Sequence, residues 1–254
     1  MPSARDARLE LAIVTPVWGE QHVRRFLDIV LPSWLAPGNL PALGVGRTPF
    51  VIVTRARDIP LFERAPSFGR AKTHTEISFI TLDDLIGPNG VPVTLTLAFA
   101  RGMAHLAEAG RKRPFALLNA DFLLADGSLR TLKQALDSGA EAVLAPSLRV
   151  VEEDVIGELA LAVEDDALVI SPRALAAKAL GALHPTVLAS RVDQSVLRSA
   201  NPNQVYWRPT PDLLVGRAFC LFALAVVVTG PIPPIGCYCD YGFVEEVGVD
   251  AEPV

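Results

Sequence analysis

The stretch RPFALLNADFLLADGSLRTL, residues 113–132, decides how the chain is read. FALL at 115–118 is a short run without charge, the pattern of a strand buried on both faces of a parallel sheet. It opens directly into Asn119-Ala120-Asp121, and a helix is expected over 128–138, closing at Gly139. Strand, polar tip and helix in that order make one step of an alternating α/β fold.

The same step repeats on either side. LELAIV at 9–14 reads as a strand that stops at Thr15-Pro16. After it, Val23, Phe26, Leu27, Val30, Leu31 and Trp34 fall on one helical face, which predicts a helix over 20–35 ended by Pro37-Gly38-Asn39. FVIVT at 50–54, ISFITL at 77–82 and AVLA at 142–145 read as further strands, the second followed by Asp83-Asp84. A helix is expected over 93–109. This rhythm predicts a right-handed, mostly parallel sheet with helices on both faces. After Pro146 the pattern loosens into an irregular half. It holds a helix opening behind Ser171-Pro172, a short helix over 193–199, and extended segments over 205–207, 219–228 and 241–244. No linker separates a second domain, so residues 1–254 read as one α/β domain.

Composition narrows the function. Half of the 254 residues are apolar, and 23 Lys+Arg against 28 Asp+Glu leave a formal charge of −5. Disorder is excluded, and so is a nucleic-acid binder working through bulk positive charge. Three cysteines build no disulfide framework, which sets the expectation of a reducing, cytoplasmic location. The first ten residues are polar and do not read as a secretory signal. AFCLFALAVVVTGPIPPI at 218–235 carries no charge, but Gly230, Pro231, Pro233 and Pro234 interrupt it well short of the ~20 residues a membrane span needs. It reads as a buried strand and turn. With a mean hydropathy of +0.34, it leaves room for a peripheral contact with the inner face of the membrane or for a homodimer.

In open parallel sheets, ligands bind beyond the carboxyl ends of the strands. Those ends carry Thr15 to Trp18, Arg55 and Arg57, Asp83-Asp84, and Asn119 to Asp121. A carboxylate just past a buried strand suits Mg²⁺ or Mn²⁺, which favour carboxylate and phosphate oxygens. The sequence holds no G-x-G-x-x-G, no G-x-x-x-x-G-K-[ST] and no G-x-S-x-G, which disfavours dinucleotide oxidoreductases, P-loop NTPases and α/β-hydrolases. Cys237-x-Cys239 lacks the spacing and partners of a zinc site and reads as a buried thiol pair.

LAIVTPVWGEQHVRRFL, TLTLAFARGMAHLAEAG and RPFALLNADFLLADGSLRTL together resemble the GT-A fold of nucleotide-diphospho-sugar glycosyltransferases. The resemblance is clear over roughly 9–146, which it makes the nucleotide-binding half, with 147–254 as the acceptor side. It implies that Thr15, Pro16 and Val17 line the nucleotide pocket, with Trp18 stacking or packing there. Asn119-Ala120-Asp121 stands where that family has a D-x-D-like motif, its first Asp replaced by Asn. Asp121 would then be the principal ligand of Mn²⁺ or Mg²⁺ or of the ribose, and Asn119 would add an oxygen or a hydrogen bond. Arg55, Arg57 or Arg70 would neutralise diphosphate charge through guanidinium forks. Asp240 is the candidate for the group that takes the acceptor hydroxyl proton. The implied partners are a nucleotide-diphospho-sugar donor and a hydroxyl acceptor.

Each residue also has a plainer reading. Asp121 and Asn119 serve equally well as turn residues, Asp83-Asp84 as a helix cap, Trp18 as packing and Asp240 as a solvated loop acid. Two other functions stay open: a catalytically silent binding or assembly protein of the same fold, and a nucleotidyltransferase, which would normally show a Gly-rich run where TPVWGEQHVRR stands.

Overall fold

The computed structural model describes residues 10–44, 48–87, 90–145, 147–192, 204–218, 222–232 and 244. Asp240, the three cysteines, the helix expected over 193–199 and the segment expected over 241–243 lie outside them. Six strands build one sheet: β1 (Ala12–Pro16), β2 (Thr48–Thr54), β3 (Thr75–Thr81), β4 (Lys112–Leu117), β5 (Ala142–Ala145) and β8 (Phe222–Thr229). Their order is β3-β2-β1-β4-β8-β5. The first four run parallel, and β8 lies antiparallel between β4 and β5. The fold is α/β, with a mostly parallel sheet flanked by helices and compatible with a Rossmann-like arrangement. The antiparallel direction of β8 departs from the alternating rhythm.

One face of the sheet carries α1 (Glu20–Arg25), α2 (Leu31–Trp34), α3 (Ile59–Glu63), α4 (Pro66–Ala71) and α6 (Ser128–Asp137) over an aromatic core. Phe26, Trp34, Phe50 and Phe62 are fully buried there, each worth about 1.5–3 kcal/mol of transfer free energy. Phe26 meets Trp34 edge-on at 5.2 Å. The helix expected over 20–35 runs over 20–34, with a π segment, Phe26–Val30, between α1 and α2. Pro32 has no N–H to donate backward to the Leu27 carbonyl, and Ser67 Oγ donates to that carbonyl at 2.7 Å instead.

The other face carries α5 (Val91–Leu106), which buries Ala98, Phe99 and Met103. Gly102 lets α5 approach β1 closely, since a Cβ there would stand 2.3 Å from Val14 Cγ1. The later half is built from α7 (Glu152–Leu161), α8 (Pro172–Gly181), α9 (Pro185–Ala189) and a separate hairpin of β6 (Gln204–Thr210) and β7 (Leu213–Ala218). Ser171 Oγ accepts from the Ala174 N–H at 3.3 Å, the cap that Ser171-Pro172 announces. Phe222–Thr229 of the charge-free run at 218–235 becomes β8, and Gly230, at φ 89°, turns the chain behind it. Among the described residues no helix is long and apolar enough to cross a membrane.

Candidate functional site at the carboxyl edge

From β1 the chain builds β2 and β3 outward on one side and then β4 on the other, so the order reverses between β1 and β4. Ligand crevices of open α/β sheets lie at that reversal, beyond the carboxyl ends. Backbone bonds continue past the strands and hold the tips in register. Val17 N–H donates to Val53 O at 3.0 Å, Leu82 N–H to Thr54 O at 3.0 Å, and Leu118 N–H to Val14 O at 3.1 Å. The structure therefore gathers Thr15, Pro16, Val17, Trp18, Arg55, Asn119 and Asp121 along one edge.

Their exposures differ. The Val17 side chain is 2% exposed and belongs to the aromatic core, so its backbone alone can face the crevice. Trp18 is half-buried against the α5 side. Thr15 Oγ1, Thr54 Oγ1 and Asn119 Oδ1 are buried without a hydrogen-bond partner, at the ends of three neighbouring strands. A buried polar atom left unpaired costs about 1–3 kcal/mol; Thr15 and Thr54 are fully buried, whereas Asn119 is half-buried at the β4 tip.

The β4 tip is a tight turn, with Phe122 N–H on Asn119 O at 3.0 Å. It is strapped to the end of α2. Trp34 Nε1–H donates to Phe122 O at 2.9 Å, and Leu124 N–H donates to Ser33 Oγ at 3.1 Å. Asn39, expected only to end the helix, is fully buried and is the centre of this latch. Its Nδ2 donates to Ser33 O at 2.8 Å and Ala125 O at 3.1 Å, and its Oδ1 accepts from Leu129 N–H at 3.0 Å. The Phe122 ring meets Phe222 of β8 edge-on at 4.9 Å.

Asp121 sits at this tip and is exposed to water. Desolvation raises its pKa above the ordinary carboxylate value; its own backbone N–H, Arg149 and His22 partly oppose the rise. Arg149 and His22 are absent from the sequence reading. They come from the segment after β5 and from α1, and only the fold places them near Asp121. Asp58 was missed as well. It is 4% exposed, and its Oδ2 accepts the Gly19 N–H at 2.7 Å, tying the loop after β1 to the turn after β2. Gly19 holds φ 86°, a conformation open to glycine and costly for other residues.

At the β2 and β3 ends a hollow of about 250 Å³ is lined by Arg55, Arg57, Asp83 and Ile86. Asp83 Oδ2 accepts the Ala56 N–H at 2.9 Å, which fixes the turn carrying the two arginines. Asp84 is taken up by a two-pronged bond to Arg101, at 2.6 and 2.7 Å. Arg70 does not join this edge. It stands in the last turn of α4, just before β3 begins, where burial, helped by the Arg70 charge, lowers the pKa of His74.

No group of three His, Cys, Asp or Glu side chains among the described residues is placed to hold a metal ion. The donor set at the β4 tip is the Asp121 carboxylate and the orphaned Asn119 Oδ1. That set fits Mg²⁺ or Mn²⁺ only in the mode in which one or two protein oxygens share the ion with substrate phosphates. No protein-family model matches the chain. None of the curated proteins matches it.

Proposed function

We propose that the chain is a glycosyltransferase of the GT-A kind, binding a nucleotide-diphospho-sugar in the β1–β4 crevice and transferring its sugar to a hydroxyl acceptor. The observation that carries this reading is the unpartnered Asn119 oxygen close in sequence to the desolvated Asp121 carboxylate, at the reversal of strand order. The loop from Thr15 to Trp18 receives the nucleoside. Arg55 and Arg57 offset diphosphate charge, the leaving-group stabilisation such a transfer needs. Asp121 and Asn119 would hold a divalent ion, which would supply Lewis-acid stabilisation of the leaving diphosphate. In the reaction the acceptor oxygen bonds to the anomeric carbon as the bond from that carbon to the diphosphate oxygen breaks, and a carboxylate takes the hydroxyl proton. Asp240 keeps that last role as a candidate.

Thermal unfolding with UDP and with GDP, each with and without Mn²⁺, tests the reading. A rise in melting temperature that Mn²⁺ enlarges and Asp121→Ala removes is expected. An unchanged ligand response in Asp121→Ala sinks the assignment. A second reading, a binding protein of the same fold without turnover, is favoured by Asn119 standing where a second carboxylate would strengthen ion binding. It expects the same thermal shift with no donor hydrolysis across a panel of sugar nucleotides.

A further inference from the structure

We infer that the open edge of β3 is the surface through which two copies of this chain join, each β3 running antiparallel to the other about a two-fold axis at Ser78. β3 is the outer strand of the sheet, with β2 as its one neighbour among the described residues. At the two ends of this pair, Thr48 N–H donates to His74 O at 3.1 Å and Leu82 N–H donates to Thr54 O at 3.0 Å. The even-numbered residues of β3 therefore turn their backbone groups to β2, and Thr75, Ile77, Phe79 and Thr81 turn theirs outward. Arg101 takes up the outward Thr81 carbonyl at 2.9 Å. Among the described residues no backbone hydrogen bond from outside the sheet reaches Ile77 or Phe79. The opposite edge is blunted, because β5 has four residues and its ladder slips between Val143 and Leu144. β3 keeps seven residues in unbroken register, without Pro, Lys or a bulge. An edge in that state is a template for another strand.

The pattern of β3 selects a second copy as the occupant. Two-fold contact puts a patch against itself, which for a strand edge means antiparallel pairing. About Ser78, Ile77 falls opposite Phe79 of the second copy and Phe79 opposite its Ile77. Both residues carry outward N–H and C=O groups, so each opposition is a hydrogen-bonded pair. The half-buried Ile77 and Phe79 side chains pack on the aromatic core, with Phe79 stacked on Phe68 at 5.7 Å, and the pairing joins them into one apolar strip across the axis. On the other face Ser78 meets Ser78, and Glu76, the one charged residue of the strand, falls opposite Ile80. The ends match as well. Exposed Lys72, 4.8 Å from the Phe68 ring, precedes β3, and exposed Asp83 and Asp84 follow it. Antiparallel pairing brings Lys72 of one copy toward Asp84 of the other, whose side chain stays 66% exposed while Arg101 holds it. The inference does not rest on the nucleotide reading.

The test is sedimentation of the full chain over a range of concentrations, joined to amide hydrogen exchange in dilute and concentrated solution. The mass should climb from 27.2 kDa toward twice that value, and exchange at the Ile77 and Phe79 amides should slow as it does. Ile77→Pro removes an outward N–H and leaves the donors facing β2 in place, so the variant should fold and stay monomeric. Ser78→Lys sets two ammonium groups opposite each other across the axis and should weaken the dimer about fivefold. If a variant fails to fold, exchange in the unaltered chain decides the matter: slowing at Ile77 and Phe79 on concentration supports the inference, and unchanged exchange there overturns it. A mass of 27.2 kDa at every concentration, or a dimer that a folded Ile77→Pro chain forms as tightly, would also overturn it, the latter in favour of another face.

Discussion

Two carboxylates stand just past parallel strands, Asp84 after β3 and Asp121 after β4, and their surroundings push them in opposite directions. Arg101 grips Asp84 with both guanidinium branches and holds its pKa below the ordinary value. Asp121 has no side-chain hydrogen bond among the described residues, and desolvation raises its pKa. A paired carboxylate has spent its acceptor capacity on the fold. One opposed only by its own backbone N–H and the more distant Arg149 and His22 keeps more of that capacity open. The β3 end is therefore a brace, and the β4 end is where the proposed function puts its site.

The comparison breaks first if the β4 tip is not held by its latch. Asn39→Ala removes an amide that serves three backbone groups, and a loss of about 3 kcal/mol in denaturant unfolding is expected. Under the site reading, the thermal response to nucleoside diphosphate should fall with it. Gly102→Ala pushes a methyl into Val14 and should cost about 1–3 kcal/mol. It leaves the tip intact, so its ligand response should survive in proportion to the protein still folded. If both variants lose the response equally, the tip has no special standing.

Smaller effects sharpen the contrast between the two acids, and their signs differ. With a raised pKa, Asp121 favours the fold in its protonated form, and that contribution is lost as pH rises through the raised value. Asp121→Asn should therefore melt higher than the unaltered chain at neutral pH, the gap closing below about pH 4. With a lowered pKa, Asp84 favours the fold in its ionised form, present above the ordinary aspartate range and lost as pH falls through the lowered value. Asp84→Asn should melt slightly lower at neutral pH, with the gap closing in acid and shrinking in salt, as an exposed ion pair does. It should leave the nucleotide response unchanged. Melting curves of the three proteins across pH read all of this, and a shared sign would end the distinction.

What the sequence made legible is what local chemistry determines. Charge-free strands announce themselves because both faces are covered, and the Ser171-Pro172 cap is written within four residues. That the tips share one edge followed from the rhythm of elements; the order of the strands along it did not. The one-turn helices α3 and α4 are too short to show a period. The direction of β8 depends on pairing with strands far back in the chain. Asn39 passed for a turn residue because its amide partners at Ala125 and Leu129 are remote in sequence. His22 and Arg149 were unreadable for the same reason, since each is an ordinary surface residue until the fold sets it beside Asp121.

The place of β8 governs the order in which the molecule can assemble. Among the described residues β5 meets the sheet only through β8, and β4 has its second neighbour there too. A nascent chain can join β1 to β4 early, but Ala142–Ala145 must wait unpaired until Phe222–Thr229 has been made and threaded between its neighbours. Contacts so distant along the chain are slow to form. The closing of that gap is the natural last step of folding, and a chain cut short before Phe222 would expose the flank of β4 to other strands.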